Sequence, residues 1–186
     1  MYGCGMKKRL SKTDWLDHGL KVLAKSGAVA MKAEPLAQSL KVSRGSFYWH
    51  FRDTGQFHAD LLARWRQLTT DDIITKVDRK GGRKGGHGER LRLLMSAAMV
   101  EDDPLERAIR AWSTENEAVA KAVRLVDGVR LGYLNDILAA AGIPKEQVRA
   151  RALFIYWARL GGIMMGANTE TLQAHELDAI AALLQS

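Results

Sequence analysis

The sequence predicts an all-α fold of about nine helices, with three short ones near the N-terminus and a longer helical bundle after them. Only 3 prolines interrupt the 186 residues, and the stretches between them are rich in Ala, Leu, Arg and Glu, which lose little on entering a helix. Apolar residues recur at spacings of three and four, without the strict alternation of a half-buried strand. Capping residues and glycines stand where such helices should start and stop.

Residues 1–10 read as a flexible basic extension carrying Lys7, Lys8 and Arg9. Ser11 and Asp14 have capping-box spacing ahead of Leu16, Leu20 and Leu23, and Gly27 after Ser26 ends that helix. A second helix fits Ala33 to Leu40, with Pro35 tolerated in the first turn. Ser43 is placed to cap a third helix ending at Trp49 or His50. A fourth is expected from Thr54 to Thr70, with Phe57, Leu61, Trp65 and Leu68 on one face, inside a connecting segment 54–78.

Residues 79–88 hold five glycines and a short basic repeat, and read as a mobile loop. No Gly-Lys-Ser/Thr closes it as in a phosphate-binding loop. Beyond it Leu91, Leu94, Met95, Ala98 and Met99 line a helix. Asp103, Pro104 and Glu106 form the start of another, and Thr114 with Glu117 is read as a further box. The long helix that follows carries Val119, Val123, Val126, Tyr133, Leu134, Ile137 and Leu138 and stops at Gly142. Pro144 opens a helix to about Gly166, and a last one carries Leu177, Ile180, Leu183 and Leu184.

Hydrophobic residues make up 47% of the chain, ordinary for a folded protein. The longest apolar run, 153–158, is a fraction of a bilayer span, so no membrane partner is expected. The basic N-terminus has no apolar stretch behind it to make a secretory signal. One cysteine, Cys4, forms no internal disulfide, and a cytoplasmic setting follows as the simple expectation. Charge is uneven: residues 1–52 hold 10 Lys and Arg against 3 Asp and Glu, whereas 53–186 hold 18 of each. The whole net charge of +7 sits in the first quarter, as a polyanion partner would require.

Within that quarter, residues 35–51 have the geometry of a helix-turn-helix. Ala37 is small where two helices must cross, and Leu36, Leu40, Val42 and Phe47 would fill the space between them. Ser43 would cap the second helix, so that its amino end and Arg44 point outward. The block Leu36, Ala37, then Leu40 through Phe51, ending Tyr48, Trp49, His50, Phe51, resembles the DNA-binding domain of the tetracycline-repressor (TetR) family. The match covers roughly residues 10–70; the rest resembles the family only in length, helix content and helix order. Two positions depart from the family pattern. Lys41 stands where the family usually has Gly, so that either a left-handed Lys there costs on the order of 1 kcal/mol or the turn differs slightly. Thr54 stands where the family has a phosphate-contacting Lys, leaving Arg52 or Lys41 to take that contact.

The chemistry of the motif suggests roles. Arg44 can donate two hydrogen bonds to a guanine edge. Gly45 lets backbone approach closely. Ser43 and Ser46 can donate to phosphate or base, Tyr48 and His50 to phosphate, and Trp49 can pack on a thymine methyl or a sugar. Lys32 is a further phosphate candidate. The domain division expected is 11–53 for DNA binding and 89–186 for effector binding and dimerisation, the latter implied by the resemblance. The helices 144–166 and 172–185 could form a four-helix bundle with a second copy, with Ala158, Gly161, Gly162 and Gly166 allowing close contact. A homodimer would then face a palindromic double-stranded DNA operator. Met95, Met99, Trp112, Tyr133, Phe154 and Trp157 are candidates to line a pocket for a small-molecule effector whose identity the sequence does not give.

An enzyme is the rival class, and it is disfavoured. His18, His50, His58, His87 and His175 show no metal-binding spacing, no nucleophile elbow is present, and no cofactor or metal is expected. The resemblance implies a transcriptional regulator, as a rule a repressor released by its ligand. An architectural protein binding nucleic acid without sequence preference is the alternative.

Overall fold

The computed structural model describes residues 10–81, 87–98, 103–166 and 172–183, and among these every regular element is helical. Helix α1, Lys12–Ser26, starts with the expected capping box: the Ser11 hydroxyl accepts from the Asp14 amide at 3.1 Å, and the Asp14 carboxylate accepts from the Ser11 amide at 2.7 Å. Gly27, at φ 71°, ends it, and a 3-10 turn, Ala28–Ala30, leads to α2, Ala33–Ser39, and α3, Arg44–Tyr48.

Helix α4, Thr54–Arg66, is capped by Asp53 and does not end at Thr70. It passes through one π-helical turn, Gln67–Asp71, into α5, Asp72–Lys80. No Gly or Pro lies between to stop it, and the wider turn changes which residues face inward. Leu68, expected beside Trp65, is 37% exposed, and Thr70 is buried instead at 2%. Arg79 and Lys80, expected in the loop, form the last turn of α5, where cations suit the carbonyl end. His87 and Gly88 likewise open α6, His87–Ala98. Residues 82–86 of that loop, and Met99 beyond α6, lie outside the described residues. Gly81 is held to glycine by crowding, since a Cβ there would come within 2.5 Å of Arg90 Cγ and 3.0 Å of the Val77 carbonyl oxygen.

Helix α7, Pro104–Ser113, has the predicted Asp cap and leading Pro. The box read into Thr114 and Glu117 does not form. Thr114 closes α7, its hydroxyl donating to the Ala111 carbonyl at 2.7 Å, and the extended Asn116 caps α8, Glu117–Ala140, by accepting from Val119. Gly142, at φ 84°, breaks the chain before α9, Lys145–Met165, and α10 is Ala174–Leu183.

Two apolar cores organise these helices. The first gathers α1 to α4 with Ile109 and Trp112 of α7 and Val119, Val123 and Val126 of early α8. The second joins α6, late α8 and α9, with Ile180 of α10 packed against it. Helix α7 therefore serves the N-terminal half, lying along α1. At this end of the molecule Gly19 of α1 permits a close crossing with α4: a Cβ there would meet Phe57 at 2.8 Å and Leu61 at 3.0 Å.

Candidate nucleic-acid interface and interior cavity

Short helices such as α2 and α3 need tertiary packing to persist. Leu36 and Ala37 of α2 are buried to within 1%, and Leu40 and Val42 pack partly buried beside them. The turn is closed by the Lys41 amide donating to Gln38 and the Val42 amide donating to Ala37, both at 3.0 Å. Lys41 adopts φ 56°, the one non-glycine left-handed residue among those described. Helix α3 is anchored by a single side chain. Phe47 is fully buried, and its ring meets Trp15, Phe51 and Phe57 with centroids 5.5, 5.0 and 5.4 Å away. Such offset and edge contacts fix a ring's orientation as well as its burial.

With Phe47 directed inward, the rest of α3 is turned out. Arg44 and Gly45 are exposed, Tyr48 is 45% exposed and Trp49 77%, while Ser46 and His50 are half-buried. Arg44 and Tyr48 stand one turn apart, and the Arg44 Nη2 donates to the Tyr48 hydroxyl at 3.2 Å. That bond raises the Arg44 pKa above its ordinary value. Ser43 precedes α3 in extended conformation, yet its hydroxyl makes no capping hydrogen bond, contrary to the expected cap. Lys32 is exposed at the start of α2. Arg52 is exposed beside Asp53, which it meets at 2.9 Å, and Thr54 opens α4. A Cβ on Gly45 would meet only the Ser43 hydroxyl, at 3.8 Å, so nothing within the chain requires glycine there.

A cavity of about 60 Å³ lies farther along the molecule. The π turn and α5 give it Thr69, Thr70, Ile73 and Ile74; α6 gives Leu94 and Met95; α8 gives Arg130, Tyr133 and Leu134; α9 gives Ile155, Tyr156 and Arg159. One end is polar. Arg130 donates from Nε to Thr70 Oγ1 at 2.9 Å and from Nη2 to Thr69 Oγ1 at 3.0 Å, and both terminal nitrogens reach the carboxylate of Glu106. Glu106 has no exposure, and Arg110, one turn on, pairs with it and with Asp127. Tyr156 donates to Asp127 as well.

Burial opposes ionisation of Glu106, but the charge and hydrogen bonds of Arg130, then the charge of Arg110, hold its carboxyl below the usual range. Arg110 and Arg130 are both raised, their burial outweighed by these carboxylates. Arg159 behaves oppositely. Burial and then the charge of Arg130 pull it below the ordinary arginine value, and its distance to Asp103 is 3.7 Å. At the cavity's other side Tyr133 donates to Asp78 at 2.8 Å, and burial followed by that bond pushes the phenol up.

No protein-family model matches the sequence, and neither does any curated protein. Solved structures do. A transcriptional regulator from Rhodococcus sp. Rha1 superposes with a TM-score of 0.71 at 18% identity, covering 94% of this chain and 96% of that one. A chain from Mesorhizobium loti, assigned to the TetR family of transcriptional regulators, gives 0.68 at 15% identity over 94% of this chain and 92% of its own. A second chain from Rhodococcus sp. with the same assignment gives 0.68 at 12% identity, covering 94% of this chain and 96% of that one. The fold is that of TetR-family regulators.

Within this TetR-like fold the predicted residues divide into two groups. Ser43, Arg44, Gly45, Ser46, Tyr48, Trp49 and His50 share α3 and its flanks, and Lys32 is close by in sequence at the start of α2. Of the pocket candidates, Met95 and Tyr133 line the cavity. Trp112 does not: it belongs to the first core, edge-on to His58 at 4.7 Å. Phe154 and Trp157 are 64% and 63% exposed on the outer side of α9. Large apolar residues on a helix announce a contact, not which face makes it. Sequence reasoning did not single out Thr69, Thr70, Arg130, Tyr156 and Arg159, which also line the cavity. Among the described residues no His, Cys, Asp or Glu cluster suits a metal, and no helix is long and apolar enough to cross a membrane.

Proposed function

We propose that the protein is a cytoplasmic, sequence-specific DNA-binding transcriptional regulator that reads a palindromic operator as a homodimer and is released by a small-molecule effector. The observation that carries this reading is the fixing of α3: Phe47 locks one side into an aromatic core, and the opposite side presents Arg44, Gly45, Tyr48 and Trp49 to solvent. The most basic quarter of the chain contains that surface. Arg44 offers a bidentate donor for a guanine edge, and the bare backbone at Gly45 lets the helix approach a groove. Lys32, Ser43, Ser46, Tyr48 and His50 are donors for the flanking phosphates.

The dimer is supported by α9. Phe154, Trp157, Met164 and Met165 form an exposed apolar stripe, and a Cβ added at Gly161 would meet nothing within 4 Å. An apolar helix face of this kind, punctuated by glycine, suits packing against its own two-fold copy. The cavity between α5, α6, α8 and α9 suits an effector, since its wall includes the π turn that continues the helix carrying Phe57 and Leu61 beneath α3. Ligand contact there would bear on the spacing of paired recognition helices.

Selection of bound duplexes from a random-sequence pool, followed by titration with competitor DNA and salt, tests this reading. A two-fold-symmetric site surviving competitor that strips non-specific binding is the expected result. Arg44→Ala should cost about 1–3 kcal/mol at the selected site and relax one base position, while Lys32→Ala should weaken all sequences evenly. Enrichment of no sequence would leave non-specific binding as the better description.

A further inference from the structure

We infer that Tyr48 is a positioning residue for base readout: it fixes the Arg44 guanidinium in its reading orientation before DNA arrives. The inference rests on α3 being the helix that reads DNA. Side chains of a helix lean toward its amino end, so a residue overlies the one four places earlier. Tyr48 stands in that relation to Arg44. Its hydroxyl accepts from Arg44 Nη2 at 3.2 Å, and the guanidinium carbon lies 5.6 Å from the centroid of its ring. One side chain thus holds the cation by a hydrogen bond and by the face of its ring.

Tyr48 can hold Arg44 because Tyr48 is itself held. Its ring meets the fully buried Phe47 edge-on, with centroids 5.3 Å apart and planes at 82°. Phe47 in turn meets Trp15, Phe51 and Phe57. The line from the aromatic core to the guanidinium runs through rings, which have few torsions to lose, and ends on a long side chain that has many. A guanidinium ordered in the free protein has less freedom left to lose at a base edge, and the complex is tighter by that difference.

The bond leaves readout possible. It uses one of the guanidinium's five N–H donors, and two along one edge suffice for the O6 and N7 of a guanine. The Tyr48 hydroxyl accepts through a lone pair, so its own proton stays available to a phosphate oxygen. The two roles differ in what they favour. A tyrosine serving phosphate alone supports every sequence alike, whereas one that orders Arg44 supports the sequence Arg44 reads.

Fluorescence-anisotropy titration of the full chain tests the proposal, using the duplex selected from the random pool and duplexes with the other base pairs at the position that Arg44→Ala relaxes. Tyr48→Phe keeps the ring and removes the hydroxyl. It should cut the preference at that position by about threefold or more and leave preferences elsewhere in the site unchanged. Combined with Arg44→Ala it should remove no further preference there, because Tyr48 acts through Arg44. A weakening equal on all duplexes, or a smaller loss of preference, overturns the proposal and leaves the regulator standing. So does an Arg44→Ala variant that weakens binding without relaxing any position. Nitrogen-15 relaxation of the Arg44 Nε–H group in the DNA-free chain gives a second readout. Its order should fall in Tyr48→Phe, and equal mobility in the two proteins overturns the proposal. A pool that enriches no sequence overturns the regulator reading and this one with it.

Discussion

Arg130 donates to both carboxylate oxygens of Glu106, from Nη1 at 3.0 Å and from Nη2 at 3.2 Å, across 24 residues of chain. The pair ties α8 to α7. Its partners Thr69 and Thr70 extend the tie to the π turn.

Breaking this pair on one side should be costly, because the remaining charges stay buried. Glu106→Gln keeps the shape and removes the counter-charge from Arg130 and Arg110. A loss of about 3–5 kcal/mol in unfolding free energy is expected from urea denaturation. A loss below about 1 kcal/mol would mean that the cluster is solvated in solution.

Lys41 holds the turn between α2 and α3 at φ 56°. Glycine adopts that conformation without the Cβ clash, at some cost in unfolded-chain entropy. Lys41→Gly should therefore raise stability by about 0.5–1 kcal/mol, read as a rise of roughly 1–4 °C in Tm. An unchanged or lower Tm would show that the lysine side chain earns its place in the folded protein.

The exposed stripe on α9 predicts an oligomeric consequence. Trp157→Glu places a charge at the centre of the face bearing Phe154 and Met164. Sedimentation velocity should show the wild-type chain as a dimer at micromolar concentration and the variant as a monomer with unchanged helicity. A dimer that tolerates the charge would put its interface elsewhere.

His18 gives the stability a pH slope. Burial, then the neighbouring Lys21, lowers its pKa from the ordinary 6.5, and its Nε2 lies 2.6 Å from the Ser39 hydroxyl. The unfolded ring thus takes up protons before the native one does. The contribution of His18 is greatest above pH 6.5 and is lost as pH falls through the lower native value. Urea midpoints from pH 7.5 to 5 should fall less steeply in His18→Gln; parallel curves would assign the slope to other groups.

What the sequence disclosed was local. The caps at Ser11 and Asp103 and the helix stop at Gly142 each depend on residues within a few positions of one another, so spacing alone reveals them. The π turn was hidden because a one-residue widening leaves the apolar periodicity of α4 intact until Leu68. The role of Gly19 depends on Phe57, far along the chain, and nothing in its neighbourhood marks it. Arg110 and Arg130 look like solvated helix charges until the fold carries α7 and α8 together. Size and greasiness placed Trp112, Phe154 and Trp157 in a pocket, but one fills a core and two face outward.

The shared first core limits how this protein can be rebuilt. Ile109, Trp112, Val119, Val123 and Val126 close the side of the helix-turn-helix unit away from its exposed helix. A chimera carrying only residues 10–66 onto a foreign partner would open that side to water. Swapping specificities between relatives would need to transplant α7 and the beginning of α8 too, and these are separated from α4 in the chain by α5 and α6. A single crossover after Val126 delivers both pieces only by carrying α5 and α6 with them, so the half that bears α3 is inherited together with part of the wall of the cavity.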